Sequence, residues 1–310
     1  MKRCCLAVML CLASAFSLSS CTMASRSSSQ GRQNASANPA PAQNTPSEAS
    51  PGQTPSAPVL AVLGAVRPEV TLLQSLLAEA KSQEVEGIEF ISGRIGTDLV
   101  VLAWTGVGKV NAAMTTTLLL EHFQPTRVLF TGIAGSVDPN LEPGDIVVAK
   151  QTAYHDMGTL WSQGIEYGGV KSRMTGEPNP VFFPADPVLL TATEKAAKGM
   201  TFGSVGLRVG QRPPKVVVGT VVTGDVFVAS KEKSAELAKE LGADAVEMEG
   251  AAVAQLCYQR DIGCLVIRSI SDKADRSAVM DKQLFHTMAA KNSAGLVVKI
   301  VGEGLKRGTE

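Results

Sequence analysis

The sequence predicts one α/β domain of three layers, in which helices flank both faces of a central, mixed, twisted sheet. From residue 58 onward, short apolar runs alternate with longer segments at helical spacing. The first run, VLAVLGAV at 59–66, is almost continuously apolar, as in a strand covered on both faces. The segment 87–106 is typical of a hairpin that turns near Gly96 and Thr97. Part of the sheet should therefore be antiparallel.

The other elements are predicted from the same two spacings, 3.6 residues for helices and short apolar runs for strands. The segment 158–185 is rich in Gly and Pro and is predicted to be irregular. In chain order we expect helices at 69–80, 109–122, 186–198, 231–241 and 281–304, and strands at 127–135, 145–155, 203–210, 214–224 and 263–271, with a strand that enters a helix at 245–256.

The N-terminal segment differs in composition from the rest of the chain. Lys2 and Arg3 precede an apolar run that fades into small residues at 17–20, which is typical of a secretory signal. The end of this segment, LSSC at 18–21, resembles the lipobox of bacterial lipoproteins, in which cleavage precedes a cysteine that then carries lipid. We expect a lipoprotein-type signal peptide at 1–20 and lipidation of Cys21. An ordinary cleaved signal and a misassigned start codon are the alternatives.

Residues 22–57 consist mainly of Ser, Asn, Gln, Pro and Ala and show no apolar periodicity. Such a segment buries too little surface to offset its ordering entropy, so 21–57 is predicted to be a disordered tether before a globular domain at 58–310. The tether would span roughly 30–35 Å. Together with the signal, it predicts a protein exported and lipid-anchored to a bacterial membrane, on the periplasmic or cell-surface side, with no other membrane contact.

Charge and cysteine content exclude several classes of protein. The 29 basic and 29 acidic residues cancel, which argues against a nucleic-acid partner. Cys257 and Cys264 are the cysteines of the globular part, and we expect two buried thiols, although an oxidising compartment would permit pairing. The three His residues are scattered and no Cys/His cluster has metal-ligand spacing. We expect no metal and no cofactor.

Polar and small residues follow several of the predicted strands. In sheets of this kind, ligands bind at the carboxyl ends of the strands, so these residues should share one rim. The candidates are Glu69, the TGIAG turn at 131–135, the TGDVF turn at 223–227, Met248 with Glu249, and the group Arg268, Ser271 and Asp272.

Glu249 is an unusual residue in its place. It lies where the strand of AVEMEGAAVAQL (245–256) enters a helix, on the same face as the apolar Ala252, Val253 and Leu256. One explanation is that a carboxylate near a helix N-terminus complements the helix dipole. A binding role for a buried carboxylate is the other.

Six motifs in order, GAVRPEVTLL, TGVGKVNAA, TGIAG with LEPGDIVVA and YHDM, VVTGDVFV, AVEMEGAAVA and VIRSISDKAD, resemble those of the 5′-methylthioadenosine/S-adenosylhomocysteine nucleosidases. This family lies within the nucleoside phosphorylase superfamily, and the resemblance covers residues 59–304. It implies hydrolysis of the N-ribosidic bond of 5′-modified adenosines (5′-methylthioadenosine, S-adenosylhomocysteine, 5′-deoxyadenosine) with release of adenine.

The resemblance also implies roles for particular residues. Asp272 matches the acid that protonates adenine N7, and Glu69 matches the general base that activates water. Glu249 matches the acceptor for the ribose hydroxyls. The other implied substrate-binding residues are Met248 on the sugar, Phe227 stacked on the base, Val228 at the adenine edge through its backbone, Gly135 in the TGIAG turn, and Arg268 and Ser271 near the acid and the water.

The chain departs from the family in three places. Ile133 stands where the family often has Ser, and Arg67 and Pro68 replace acidic residues before Glu69. The segment 158–185, which supplies part of the 5′-substituent pocket in related dimers, is longer here and includes Phe183. The resemblance implies a homodimer, and Trp161, Phe182 and Phe183 have no obvious place in a monomer core.

Two other functions remain open from the sequence. One is a phosphorylase of the same fold, although the phosphate-binding Arg motif of that branch is absent after the first strand. The other is a non-catalytic lipoprotein that binds nucleosides and delivers them to a transporter. The set of Glu69, Glu249 and Asp272 argues against the second function, because a protein that only binds has no need for the water-activating acid.

Overall fold

The computed structural model describes residues 59–169, 171–202 and 212–303. The expected signal peptide, Cys21, the tether and the strand expected at 203–210 lie outside the described residues. No helix in the described ranges is long and apolar enough to cross a membrane.

The described residues form twelve strands and six helices. The strands are β1 (Val59–Gly64), β2 (Ala78–Val85), β3 (Ile88–Ile95), β4 (Asp98–Trp104), β5 (Arg127–Ser136), β6 (Ile146–Tyr154), β7 (Gly158–Trp161), β8 (Gly164–Tyr167), β9 (Phe182–Pro184), β10 (Val216–Thr223), β11 (Ala245–Glu247) and β12 (Gly263–Asp272). The helices are α1 (Pro68–Gln74), α2 (Lys109–Phe123), α3 (Pro187–Ala197), α4 (Lys231–Leu241), α5 (Gly250–Gln259) and α6 (Ala278–Gly302).

The main sheet is mixed, as the sequence predicts. It has ten strands, with the order β11-β10-β6-β12-β5-β1-β4-β3-β2, and β9 pairs with β6. β12, β5, β1 and β4 run parallel, whereas β12 and β6 are antiparallel. β11 pairs with β10 on one side and with β5 on the other, so β5, β12, β6, β10 and β11 close into a ring. Residues at or beside the carboxyl ends of β5, β11 and β12 line one pocket.

The central strands are buried on both faces. In β1, Ala61 and Leu63 belong to one apolar cluster, and Leu60 and Val62 belong to another on the opposite face. Helices α2 and α5 cover the first face, while α1, α3 and α6 cover the second. Period-two alternation explains this division, because successive side chains of a strand point to opposite faces. The three-layer prediction is confirmed.

The first predicted helix is too long. Helix α1 ends at Gln74, and residues 78–85 form β2, which pairs antiparallel with β3. β2 is an edge strand with only Val85 buried. A strand without a buried face has no apolar alternation, so periodicity alone extended the helix through it. The hairpin of β3 and β4 turns at Gly96, as the sequence predicts.

The segment 158–185 is less irregular than expected. It contains the hairpin of β7 and β8 and the short strand β9. Phe183 is 2% exposed and makes edge contacts with the rings of Tyr154 and Tyr258, and Phe182 packs on an apolar cluster. The expectation that both Phe residues lack a place in the monomer core is therefore wrong. Trp161 is exposed, as expected.

The two cysteines of the domain are free thiols and both are buried. Cys257 lies on α5 and Cys264 on β12. A hydrogen bond with the Cys264 thiol and burial raise the pKa of Cys257 well above its ordinary value. Both effects disfavour the reactive thiolate.

Candidate active site

The polar strand ends meet in one pocket at the rim of the ring. Glu69, Glu249 and Asp272 all line it and all are at most 5% exposed. They arrive from three elements: α1 after β1, the turn between β11 and α5, and the end of β12. The other lining residues are Ala65, Val66, Val107, Ile133, Ala134, Gly135, Phe227, Val246, Glu247, Met248, Arg268, Ser271 and His286.

A buried ion pair supports this pocket. The Arg268 side chain on β12 donates to Glu247 Oε2 on β11 through Nη2 at 2.7 Å and Nε at 3.2 Å. Its Nη1 donates to the carbonyl of Phe130 at 3.0 Å, and the guanidinium lies 4.1 Å from the centroid of the Phe130 ring. The two side chains are 1% and 2% exposed. All three guanidinium nitrogens therefore donate to an acceptor and the Phe130 ring covers one face, which offsets the cost of burying the charge.

Glu247 also holds the N-terminus of α5. Its carboxylate accepts hydrogen bonds from the backbone N–H of Glu249 at 3.1 Å and of Gly250 at 2.8 Å, and the Thr223 hydroxyl donates to it. Glu249 makes no capping bond with its side chain. The carboxylate that complements the helix dipole is therefore Glu247, and the side chain of Glu249 is directed elsewhere.

Glu249 accepts a hydrogen bond from the N–H of Gly108 at 2.8 Å, across the pocket mouth. Burial and the nearby negative charge of Glu247 raise the pKa of Glu249 from 4.5 to about 7, and Arg268 and Gly108 offset only part of this shift. The carboxyl group lines the cavity, and its Oε1 is the atom that accepts the Gly108 hydrogen bond. It can accept hydrogen bonds from a bound diol.

Glu69 is held by backbone donors. Its Oε2 accepts from the N–H of Ala65 at 2.6 Å and of Val66 at 3.0 Å, and its Oε1 accepts from the N–H of Ile133 at 3.2 Å. Burial raises the pKa of Glu69, although the charge of Arg268 and these donors act against it. A carboxyl group with a raised pKa in a pocket is a candidate general base.

Asp272 lies at a β-bulge, where β12 shifts register against β5 between Ile270 and Asp272. The bulge lets the neighbouring Ser271 and Asp272 both line the pocket. Asp272 accepts from the Ser271 hydroxyl at 2.7 Å and from the Ala274 N–H at 2.9 Å. A side chain at Gly135 would place its Cβ 2.8 Å from Asp272 Oδ1, so glycine is required beside the acid.

The remaining predicted residues divide into two groups. Phe227, Met248 and Gly135 line the pocket, whereas the Val228 side chain packs behind it with Leu237 and Val246. A backbone contact from Val228 to a base remains a prediction. Phe183 does not line this pocket and borders a small cavity beside Tyr154 and Met157. Its part in the 5′-substituent pocket of a dimer stays a prediction.

Sequence reasoning missed Glu247 and His286. Glu247 ends the short strand β11 and Arg268 follows the apolar run of β12, both in buried positions, and a lone charge cannot be buried there without a partner. That mismatch was the available signal for the pair. His286 lies on α6, and its spacing on that helix does not indicate a pocket residue.

A larger cavity of 640 Å³ lies elsewhere, bordered among others by Asp186, Tyr258 and Asp261. It contains none of the predicted site residues. In the part of the chain that the structure describes, no group of three or more His, Cys, Asp or Glu side chains is arranged to hold a metal ion.

The family model of the phosphorylase superfamily matches residues 59–302, so the chain belongs to this superfamily. The chain is 36% identical over 243 residues to a 5′-methylthioadenosine/S-adenosylhomocysteine nucleosidase of Mycobacterium bovis. The aligned residues cover 77% of this chain and 95% of the relative. Within the superfamily, the chain belongs to the 5′-methylthioadenosine/S-adenosylhomocysteine nucleosidase family.

Solved structures give the same result. The crystal structure of such a nucleosidase from Neisseria meningitidis, in complex with methylthio-immucillin-A, matches with a TM-score of 0.69 at 33% identity, over 79% of this chain and 99% of that one. The futalosine hydrolase of Helicobacter pylori also matches with a TM-score of 0.69, at 31% identity over 80% of this chain and 98% of that one.

The buried pair predicts a large stability effect. Arg268→Met leaves the Glu247 carboxylate buried without its counter-charge, so we expect a loss of about 3–5 kcal/mol in unfolding free energy, measured by urea denaturation. The matched control is Arg260→Met, whose partner Glu121 lies on the surface, with exposures of 39% and 52%. The control should cost less than about 1 kcal/mol. Equal losses would show that burial does not increase the contribution of the Arg268 pair to the unfolding free energy.

The raised pKa of Glu249 predicts pH-dependent stability. Its pKa is about 7 in the folded protein and 4.5 ordinarily, so the folded state holds the proton more tightly and loses stability as the pH rises from 4.5 through 7. Glu249→Gln cannot ionise and should gain on the order of 1–3 kcal/mol relative to the native chain at pH 8, and much less at pH 5. Urea denaturation at both pH values measures this gain.

The exposed Glu303→Gln, directly after α6, serves as the control and should show no such difference. A Glu249→Gln variant that is less stable than the native chain at pH 8 would contradict the account.

Proposed function

We propose that the chain hydrolyses the N-ribosidic bond of 5′-modified adenosines, such as 5′-methylthioadenosine, S-adenosylhomocysteine and 5′-deoxyadenosine, and releases adenine. The observation that carries this proposal is the convergence of Glu69, Glu249 and Asp272, all buried, on one pocket. Family membership supports it, because a relative matched over 95% of its length has the nucleosidase name. The chain is accordingly an N-glycosidase.

The reaction needs a proton for the departing base. Cleavage passes through an oxocarbenium-like transition state, in which the base takes the bonding electrons and leaves as a neutral molecule if it is protonated. Asp272 is the proposed acid toward adenine N7. Ser271 and Ala274 fix the orientation of its two oxygens, and Phe227 is the proposed stacking surface for the base.

The reaction also needs a nucleophile at C1′ of the sugar. Glu69 is the proposed base that takes a proton from water as the oxygen attacks. Three backbone N–H groups hold this carboxyl group, and the raised pKa makes it a stronger base than an exposed glutamate. A Cβ at Gly132 would lie 3.1 Å from both Glu69 Oε1 and Arg268 Nη1, so glycine avoids a tight contact with these two side chains.

Glu249 is the proposed acceptor for the ribose hydroxyls, with Met248 packed on the sugar. A negative charge beside the diol also stabilises the positive charge that develops on the ring. A phosphorylase would need a cationic phosphate site in the pocket, but the guanidinium of Arg268 is occupied by Glu247. This pairing favours water over phosphate as the nucleophile.

The assay that tests the activity measures free adenine by chromatography, over a panel of nucleosides in phosphate-free buffer. Asp272→Asn keeps the shape of the side chain but removes the transferable proton, so kcat should fall by roughly 10²–10⁴-fold with little change in KM. Glu249→Gln should impair both kcat and KM, because it weakens a charge-assisted contact. A nitrophenyl riboside, whose leaving group needs no proton, should rescue Asp272→Asn only.

The control for this prediction is Asp275→Asn. The Asp275 carboxylate accepts from the N–H and hydroxyl of Ser277 and serves as a turn cap outside the pocket. Its substitution should leave kcat and KM nearly unchanged. Full activity of Asp272→Asn on an adenosine substrate would remove the acid from the mechanism.

We further propose that the mature chain begins at Cys21 and is anchored through lipid to a bacterial membrane. The signal, the LSSC site and the polar tether support this proposal. Stable anchoring needs more than one acyl chain, since a single chain binds membranes only marginally. The full chain should partition into detergent, and Cys21→Ser should remain unprocessed. A Cys21→Ser protein that is still processed and membrane-bound would contradict lipidation at this residue.

We also propose that the domain is a homodimer. Apolar side chains are exposed on the β7–β8 hairpin, where Leu160 is 77% and Trp161 52% exposed, and at the start of α2, where Val110 is 78% exposed. Apolar surface of this kind marks interfaces. Residues 58–310 should sediment as a dimer at micromolar concentration, and Val110→Asp should favour the monomer. A monomer at that concentration without any substitution would contradict the proposal.

A further inference from the structure

The loop between β4 and α2 forms one wall of the pocket mouth. Val107 lines the pocket, and the N–H of Gly108 donates to Glu249 at 2.8 Å. Gly106 and Gly108 have φ values of 81° and 95°, which side chains rarely adopt. The position of this loop therefore determines where the Glu249 carboxyl group is held.

Lys109, the next residue, makes an ion pair outside the pocket. Its ammonium lies 2.7 Å from both oxygens of Asp156 and 3.7 Å from Asp225 Oδ2. The side chains of Lys109 and Asp156 are only 20% and 24% exposed. Burial alone would raise the pKa of Asp156, but the Lys109 ammonium and the N–H of Asp225 lower it below its ordinary value. The pair is thus more strongly coupled than an exposed one.

Asp225 joins a third loop to the other two. Its Oδ1 accepts from the backbone N–H of Lys109 at 2.8 Å, which caps the first turn of α2, and its own N–H donates to Asp156 Oδ2 at 2.9 Å. Phe227 follows two residues later and lines the pocket. None of Lys109, Asp156 and Asp225 is among the residues that line the pocket.

The same third loop rests on a buried histidine. A Cβ at Gly224 would lie 2.4 Å from the ring of His155, so only glycine permits this close packing. The N–H of His155 donates to the carbonyl of Thr223 at 2.9 Å. Residues 223–225 are therefore held by contacts with His155 and by hydrogen bonds with Lys109 and Asp156.

We propose that Asp156, Lys109 and Asp225 form a clamp that fixes the Phe227 surface relative to the Glu249 carboxyl group. Lys109 is a positioning residue in this clamp: it acts on the base-binding side through Asp225 and on the sugar-binding side through Gly108. The assignment of base to Phe227 and sugar to Glu249 rests on the proposed function.

The clamp itself is tested without a ligand. Amide hydrogen exchange is compared between the full native chain, Lys109→Met and Lys109→Arg. Loss of the ammonium should accelerate exchange at Asp225 and Phe227 and at Gly108, whereas Lys109→Arg should restore most of the protection. The control is Lys299→Met, which removes an exposed pair with Glu303 on α6. Unchanged exchange in Lys109→Met would overturn the clamp.

The consequence for catalysis is tested with a double-mutant cycle of Lys109→Met and Phe227→Ala on 5′-methylthioadenosine. Each single change should raise KM by about tenfold, the equivalent of one charge-assisted hydrogen bond, with kcat within about threefold of the native value. The double variant should lose little more than either single variant, because both disturb the same surface. Multiplying effects, or an unchanged KM in Lys109→Met, would overturn the positioning role.

The two tests separate this proposal from the proposed function. If the native chain releases no adenine but the Lys109→Met variant loses exchange protection, the proposed function is refuted and the clamp is supported. If the native chain is active but exchange in the Lys109→Met variant is unchanged, the proposed function is supported and the clamp is refuted.

Discussion

The pocket depends on one buried contact, the ion pair of Arg268 with Glu247. Two strands that are not neighbours in the ring, β11 and β12, each contribute one charge, and β5 lies between them. The pair occupies the Arg268 guanidinium, orients the N-terminus of α5 through Glu247, and places a positive charge near Glu69 and Glu249. Two buried carboxyl groups in one pocket would repel each other more strongly without that charge.

The pocket also shows why active sites reduce stability. Glu69 and Glu249 are both buried with raised pKa values, so each is less stable as an anion here than in the unfolded chain. A sequence selected for stability alone would have apolar or amide side chains at these positions. The presence of both carboxyl groups is best explained by a reaction that needs charge in this pocket. Destabilising groups with shifted pKa values concentrate at functional sites.

Much of the fold could be predicted from the sequence because most strands are covered on both faces and most helices carry an apolar stripe. The limits follow from the same rule: β2 has only one buried residue, so no spacing marks it, and the aromatic residues of β9 gave no sign of the strand that buries them. Glu249 was correctly identified as unusual, but its neighbour Glu247 carries the helix-capping role. Which of two carboxylates separated by one residue caps a helix depends on backbone angles at the junction, and the sequence does not specify them.

The central claim is that water attacks the sugar in this pocket. The most direct measurement is incubation of the native chain with 5′-methylthioadenosine, with and without phosphate, followed by mass analysis of the sugar product. The account predicts a sugar with a free hydroxyl group at C1 and a rate of adenine release that does not depend on phosphate. A sugar 1-phosphate product, or nucleoside recovered intact after long incubation, would contradict it.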